Sequence, residues 1–82
     1  MVIYVKFFSS QRKLVKTDRI KVPLSDSIRV VDDLFLYIRE RYPALSLSRE
    51  SMLVTVNNHV SSPDYELKAN DEVSFMPYLG GG

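Results

Sequence analysis

All three glycines of this 82-residue chain stand together at its end, as Gly80, Gly81 and Gly82, and none is used at a turn. Glycine at a free end packs nothing and maximises backbone freedom, so its value lies in what the end does rather than in the fold. An end without side chains can lie extended in a channel too narrow for a Cβ and bring the carboxylate of Gly82 to a catalyst on another protein. The steps from Met76 to Gly82 span roughly 20 Å when extended. A carboxylate reacts with nucleophiles only when one of its oxygens has become a good leaving group. The chemistry in view is therefore activation by ATP, inside a partner, to an acyl-adenylate. The acyl carbon of Gly82 can then accept sulfur, giving a thiocarboxylate, or an amine, giving an amide.

The remaining side chains offer little competing chemistry. With no cysteine in the chain, disulfides, thiolate metal sites and a persulfide held on a side chain are excluded. His59 is the one histidine and has no Cys, Asp or Glu at metal-ligand spacing, which predicts a turn or surface role and no metal. Asp32-Asp33 and Asp71-Glu72 are adjacent carboxylates, but neighbours on a helix diverge and the second pair falls at a turn, so helix polarity and solvation account for them. Neither a GxxxxGK[ST] nor a GxGxxG segment is present, so the chain itself is not expected to hold ATP phosphates.

The elements that would present the end follow from periodicity. Met1 to Phe8 alternates, with Ile3, Val5 and Phe7 on one side and Tyr4, Lys6 and Phe8 on the other, as in a strand with one buried face. Ser9 to Lys16 is polar with Leu14 and Val15 embedded, which fits a turn or one helical turn. Asp18 to Leu24 alternates again, placing Ile20, Val22 and Leu24 inward, with Pro23 marking a sheet edge or strand end. Over Val31 to Tyr42 the period becomes helical, since Val31, Leu34, Phe35, Ile38 and Tyr42 fall on one face. Asp32 and Asp33 in the first turn and Arg39 and Arg41 in the last suit the helix dipole, and Pro43 bars continuation. Ser25, Asp26 and Ser27 are the plausible caps, while Val30 is a poor one.

Leu53 to Asn57 reads as a third strand, turned by Asn57-Asn58 into a short return through His59 and Val60. After a loop holding Ser61, Ser62, Pro63 and Asp64, a turn at Asn70-Asp71 leads into a last strand, Glu72 to Tyr78. Its Val73 and Phe75 lie on one side, Met76 and Tyr78 on the other. One helix covering one face of a mixed sheet is an α+β roll of the beta-grasp kind. Residues 1–78 are expected to form this domain and residues 79–82 a flexible Gly-rich tail.

Composition agrees with a single soluble domain: 45% of residues are apolar and 26% charged, and no apolar run approaches a membrane span. The N-terminus enters its alternating segment without signal-peptide zones, so cytoplasmic residence is the expectation. The net charge of +1 conceals an asymmetry. Lys6, Arg12, Lys13, Lys16, Arg19 and Lys21 against Asp18 leave the first 21 residues at +5 and the remainder at −4. These cations form no compact block and no RNP-like aromatic motif, so nucleic acid is not expected; a solvated face, or a patch for an acidic protein partner, accounts for them.

In order and spacing the sequence resembles the molybdopterin synthase small subunits, within the MoaD/ThiS family of ubiquitin-like sulfur carriers. The likeness is carried by Val5-Lys6-Phe7-Phe8 followed by Arg12, by Arg39-Glu40-Arg41-Tyr42-Pro43, by Val56-Asn57-Asn58, and by Leu67 to Pro77 followed by Gly81-Gly82. The resemblance implies a non-catalytic sulfur-donor subunit of a two-protein sulfurtransferase, not an enzyme alone. Gly82 would be adenylated by a MoeB-like enzyme that uses ATP and a sulfur donor, and converted to a thiocarboxylate. Gly80, Gly81 and Gly82 would then insert into the large subunit, a MoaE-like protein, where sulfur passes to precursor Z in molybdenum cofactor biosynthesis. No cofactor is expected on this chain, and the catalytic side chains belong to the partners. Phe8 and Met76, on adjoining strands and pointing away from the core, are expected to form an apolar docking patch that Val60 and Tyr78 extend. In the family, positions matching Phe8, Val60 and Met76 face the partner. The alternatives are a carrier for thiamine or another sulfur pathway, a ubiquitin-like modifier whose Gly82 forms isopeptide bonds, and a binding-only module that does not need its last residues.

Overall fold

Apolar–polar alternation at the start of the chain becomes strand β1, Val2–Lys6, in a computed structural model that describes residues 1–8 and 10–77. Ser9 and residues 78–82 lie outside the described residues; the expectations for Tyr78, Gly80, Gly81, Gly82 and the boundary after residue 78 fall there. β1 pairs antiparallel with β2, Arg19–Pro23, with Ile3 opposite Val22 and Val5 opposite Ile20. Ile3, Val5 and Val22 are completely buried, and Phe7 continues the same face beyond the strand. Ile20 and Leu24, expected inward, are only partly covered, because β2 is an edge strand whose rim the helix layer does not reach.

Helix α1, Ser10–Val15, joins the two strands and ends at Lys16, whose φ of 63° is left-handed. Within this segment Leu14 is half exposed, whereas the polar Gln11 is buried.

Helix α2, Val31–Arg41, buries the face expected of it: Val31, Leu34, Phe35 and Ile38 pack on the sheet. Phe35 meets Phe75 edge-on with centroids 5.9 Å apart, and Tyr42 meets Phe7 in the same way at 5.8 Å. Fully covering a side chain such as Phe7, Leu34, Ile38 or Phe75 stabilises the fold by about 1.5–3 kcal/mol each.

The cap differs from expectation. Val30, not Ser25, Asp26 or Ser27, is the N-cap residue, and its side chain accepts nothing. Asp33 Oδ2 instead accepts the N–H groups of Arg29 and Val30 at 3.0 and 3.1 Å, and these bonds lower the Asp33 carboxyl below its ordinary range. The carbonyls of Tyr65 and Pro63 accept the N–H groups of Val31 and Asp32, so a loop distant in sequence satisfies the orphan donors that a capping side chain would normally take. After α2 the 3-10 turn Pro43–Leu45 and the following residues bury Leu45 and Leu47 under the same core.

β3, Met52–Val56, turns into β4, His59–Val60, through Asn57 and Asn58 at φ of 51° and 70°. Two left-handed residues in a two-residue loop match a hairpin turn whose twist suits the strands, and asparagine tolerates them. β5, Glu72–Pro77, runs antiparallel to β3 and parallel to β1. The five-stranded order is β2-β1-β5-β3-β4, a mixed sheet with α2 on one face: the beta-grasp fold of ubiquitin-like proteins.

Asp71 ties the middle of this sheet together. Its buried carboxylate accepts hydrogen bonds from Asn57 Nδ2 at 3.0 Å and from the Lys68 N–H at 2.8 Å, while its carbonyl accepts the Tyr4 N–H at 2.8 Å. Asp71→Ala leaves the Asn57 amide and the Lys68 N–H without their acceptor and is expected to destabilise the fold by about 2–3 kcal/mol, read as a lowered urea midpoint.

Candidate functional site

The face of the sheet opposite α2 carries the candidate site, and strand parity decides its membership. Lys6 of β1 pairs with Ser74 of β5. Phe8, just beyond β1, has the outer-face parity of Lys6, whose Nζ lies 5.2 Å from the centre of the Phe8 ring, and Gln11 bonds the backbones of both Phe8 and Phe75, the neighbour of Met76. On the other side of β5, Met76 is directly opposite Leu53 and Ser74 is opposite Thr55. Thr55 in turn pairs with Val60 of β4. Phe8, Met76, Leu53 and Val60 therefore share one face of the sheet. Val60 is 67% exposed and Met76 37%, and Phe8 and Leu53 are half-buried. Small Ser74 and Thr55 lie low between these larger neighbours and are nearly covered.

Phe8, Val60 and Met76 thus lie on one face of the sheet, and Tyr78 lies outside the described residues. Leu53 is a member that sequence reasoning missed. The signal was available: Met52, Val54 and Val56 share the inward parity opposite Val73 and Phe75, which assigns Leu53 to the outer face.

Gln11 was also missed, and it fixes the geometry of this patch. β1 ends at Lys6 while β5 continues to Pro77, which leaves the late carbonyls of β5 without a strand partner on that side. Gln11 Nε2 donates to the Phe75 carbonyl at 2.7 Å, and its Oε1 accepts the Phe8 N–H at 3.2 Å. One buried amide thus clamps the backbones of Phe8 and Phe75 at the end of the last strand. Gln11→Leu removes both bonds and is expected to destabilise the fold by about 1–3 kcal/mol. Loss of the clamp should also broaden the amide NMR signals of Phe8 and Met76 more than those of α2.

The other residues weighed from sequence take structural roles. Asp32 and Asp33 diverge: Asp32 pairs with Arg49 at 2.7 Å, while Asp33 caps α2. Asp71 is a buried hub, and Glu72 points to the outer face, 3.7 Å from Arg19. His59 is exposed on the hairpin, and among the described residues no group of His, Asp and Glu is placed to hold a metal ion. A groove of about 240 Å³ between α2 and the edge of β3 has mostly apolar walls, and its charged pair is the mutually bonded Asp32 and Arg49. Among the described residues no helix is long and apolar enough to cross a membrane.

Residues 5–82 match the model of the ThiS family, a span that includes the terminal glycines. No curated protein matches this sequence. Solved structures that resemble the chain include a candidate molybdopterin converting factor subunit 1 from Pyrococcus furiosus. It is 26% identical, with a TM-score of 0.79 over 96% of this chain and 99% of that one. Small archaeal modifier protein 1 from Haloferax volcanii is 19% identical, with a TM-score of 0.78 over the whole of both chains. A complex of subunits 1 and 2 of the molybdopterin-converting factor from Helicobacter pylori matches at 20% identity and a TM-score of 0.68, again over the whole of both chains.

Proposed function

Because the chain belongs to the ThiS family of ubiquitin-like sulfur carriers and modifiers, we propose that it carries sulfur as a thiocarboxylate on Gly82 and serves as the small subunit of a molybdopterin synthase. The observation that carries this reading is that the family match runs through Gly81-Gly82, a few residues beyond the strand that presents Met76 on an apolar outer face.

In the first step the Gly82 carboxylate oxygen attacks the α-phosphorus of ATP, held by a MoeB-like partner, and pyrophosphate leaves. A hydrosulfide-level donor then adds to the acyl carbon and AMP departs, leaving sulfur where a carboxylate oxygen stood. In a MoaE-like large subunit the thiocarboxylate sulfur bonds to an electrophilic carbon of precursor Z and displaces an oxygen leaving group from that carbon. Hydrolysis of the resulting acyl linkage returns the carboxylate and leaves sulfur on the acceptor. This chain contributes the reacting end and the docking face; acid–base and phosphate-binding groups come from the partners.

The molybdopterin assignment draws on the 26% identity to the Pyrococcus furiosus subunit and on two features that differ from the usual thiamine carriers, the Phe7-Phe8 to Arg12 segment and the longer main helix α2. The Helicobacter pylori complex makes a second subunit the natural destination for the charged carrier.

The test is to incubate the chain with the adenylating enzyme from its own genome, ATP and sulfide, and to weigh it by mass spectrometry. A mass gain equal to exchange of one oxygen for sulfur at Gly82 supports the carrier. Transfer of that sulfur to precursor Z in the presence of the large subunit supports the pathway. Accumulation of isopeptide-linked lysine adducts, with no sulfur exchange, would favour the modifier instead.

A further inference from the structure

The charge asymmetry of the sequence becomes a surface feature once the strands are paired. Lys6 on β1 and Arg19 and Lys21 on β2 all project from the outer face, and all three are exposed. Lys6 is directly opposite Arg19. Like charges facing each other across strands destabilise a sheet, so local stability does not explain this choice.

Arg19 is paired with Glu72 at 3.7 Å, a looser contact than the 2.7 Å pair of Arg49 with Asp32 on the helix side, while among the described residues Lys6 and Lys21 make no ion pair, so the outer face keeps an excess of two positive charges. Aromatic rings also hold two of the cations in place. The Arg19 guanidinium lies 4.0 Å from the centre of the Tyr4 ring, and Lys6 Nζ lies 5.2 Å from that of Phe8. A ring orders a cation without cancelling its charge. The result is a pre-ordered basic column along β1 and β2 that abuts the apolar patch at Phe8, while the chain's net charge is only +1.

We propose that this column is the electrostatic half of the docking surface. Its occupant is the acidic rim of the protein that docks over Phe8 and Met76, with partner carboxylates facing Lys6, Arg19 and Lys21. The inference rests on the carrier reading in naming the adenylating enzyme and the large subunit as the proteins to test. With so small a net charge, steering comes from the orientation of the patch and acts on association rate and specificity.

The experiment follows association of the chain with each of those two proteins by stopped-flow fluorescence, alongside ATP–pyrophosphate exchange by the adenylating enzyme. At least one association rate should fall steeply as salt rises from about 50 to about 300 mM. The triple variant Lys6→Glu, Arg19→Glu, Lys21→Glu should lose about 10- to 100-fold in that rate and in the corresponding kcat/KM, with kcat retained. Arg39→Glu, on α2, should change neither. Lys6→Glu alone replaces a repulsive cross-strand pair with an attractive one, so it should slow docking while leaving the thermal midpoint unchanged or higher. That combination cannot arise from misfolding.

Salt-independent association with an unaltered triple variant overturns the proposal, as does absence of binding to both proteins. Lys6- and Arg19-dependent binding of single-stranded oligouridine at physiological salt, with protein docking unaffected, overturns it in favour of nucleic acid. Salt-dependent binding without nucleotide exchange or sulfur transfer would overturn the carrier reading and leave the basic column standing.

Discussion

A chain shortened by Gly81 and Gly82 is expected to be neither adenylated nor sulfurated, while its thermal unfolding stays that of the full chain. The two effects are expected to separate because, among the described residues, the buried apolar set runs from Ile3 to Phe75. Glycine has no side chain to bury and so contributes little to stability at a chain end, whereas the acyl carbon that must accept sulfur leaves with it. Gly82→Ala is the finer test. It keeps a terminal carboxylate but adds a Cβ to an end proposed to enter a narrow channel. A displacement of about 1 Å at a reacting centre can cost roughly 100-fold in rate, and a loss of that order in adenylate formation is expected. ATP–pyrophosphate exchange measures it. A Gly82→Ala variant activated as fast as the parent would show that the channel accepts a side chain, and the deletion would then be the decisive result for the carboxylate itself.

The second large effect is expected from charge placed in the apolar patch. Met76→Asp and Val60→Asp should each weaken docking to the large subunit by about 30-fold or more, which is about 2 kcal/mol, the loss typical of an interface anchor. Stability should change little at Val60, which is 67% exposed, and somewhat more at Met76, which is 37% exposed and opposite Leu53 in the sheet. Calorimetric titration against the large subunit reads the affinity, and the thermal midpoint reads the fold. Leu53→Asp extends the test to the residue that pairing added. If it binds as tightly as the parent while Met76→Asp does not, the interface stops at β5.

Several features of this molecule are local enough to be read directly from the chain. Ile3, Val5 and Phe7 alternate because a strand turns its side chains by half a circle per residue. Val31, Leu34, Phe35 and Ile38 recur at helical spacing because α2 has one face to cover. Pro43 ends the helix by geometry, and Asn57, Asn58 and Asn70 occupy left-handed positions that most other residues resist. The three glycines at the end suggest the proposed chemical use, since glycine offers no side chain to pack.

Other features depend on which segments meet in space, and no local period records that. Gln11 looks like an ordinary polar residue until the carbonyl of Phe75, 64 positions away, is found 2.7 Å from its amide. Leu53 joins the patch only because β3 lies against β5 in one register, and a shift of one residue would turn it inward. Leu45 is buried from a 3-10 turn and Leu47 from the residues just after it, a stretch too short to show a period. Val30 can begin a helix because Asp33 and the carbonyls of Pro63 and Tyr65 supply what its own side chain lacks. The elements, the fold class and the expected reacting end were therefore legible in the chain, since each is written in residues close to one another along it. Membership of the apolar outer face and the alignment of Lys6 with Arg19 beside Phe8 came from tertiary structure, because strand pairing brings together side chains that the sequence keeps far apart.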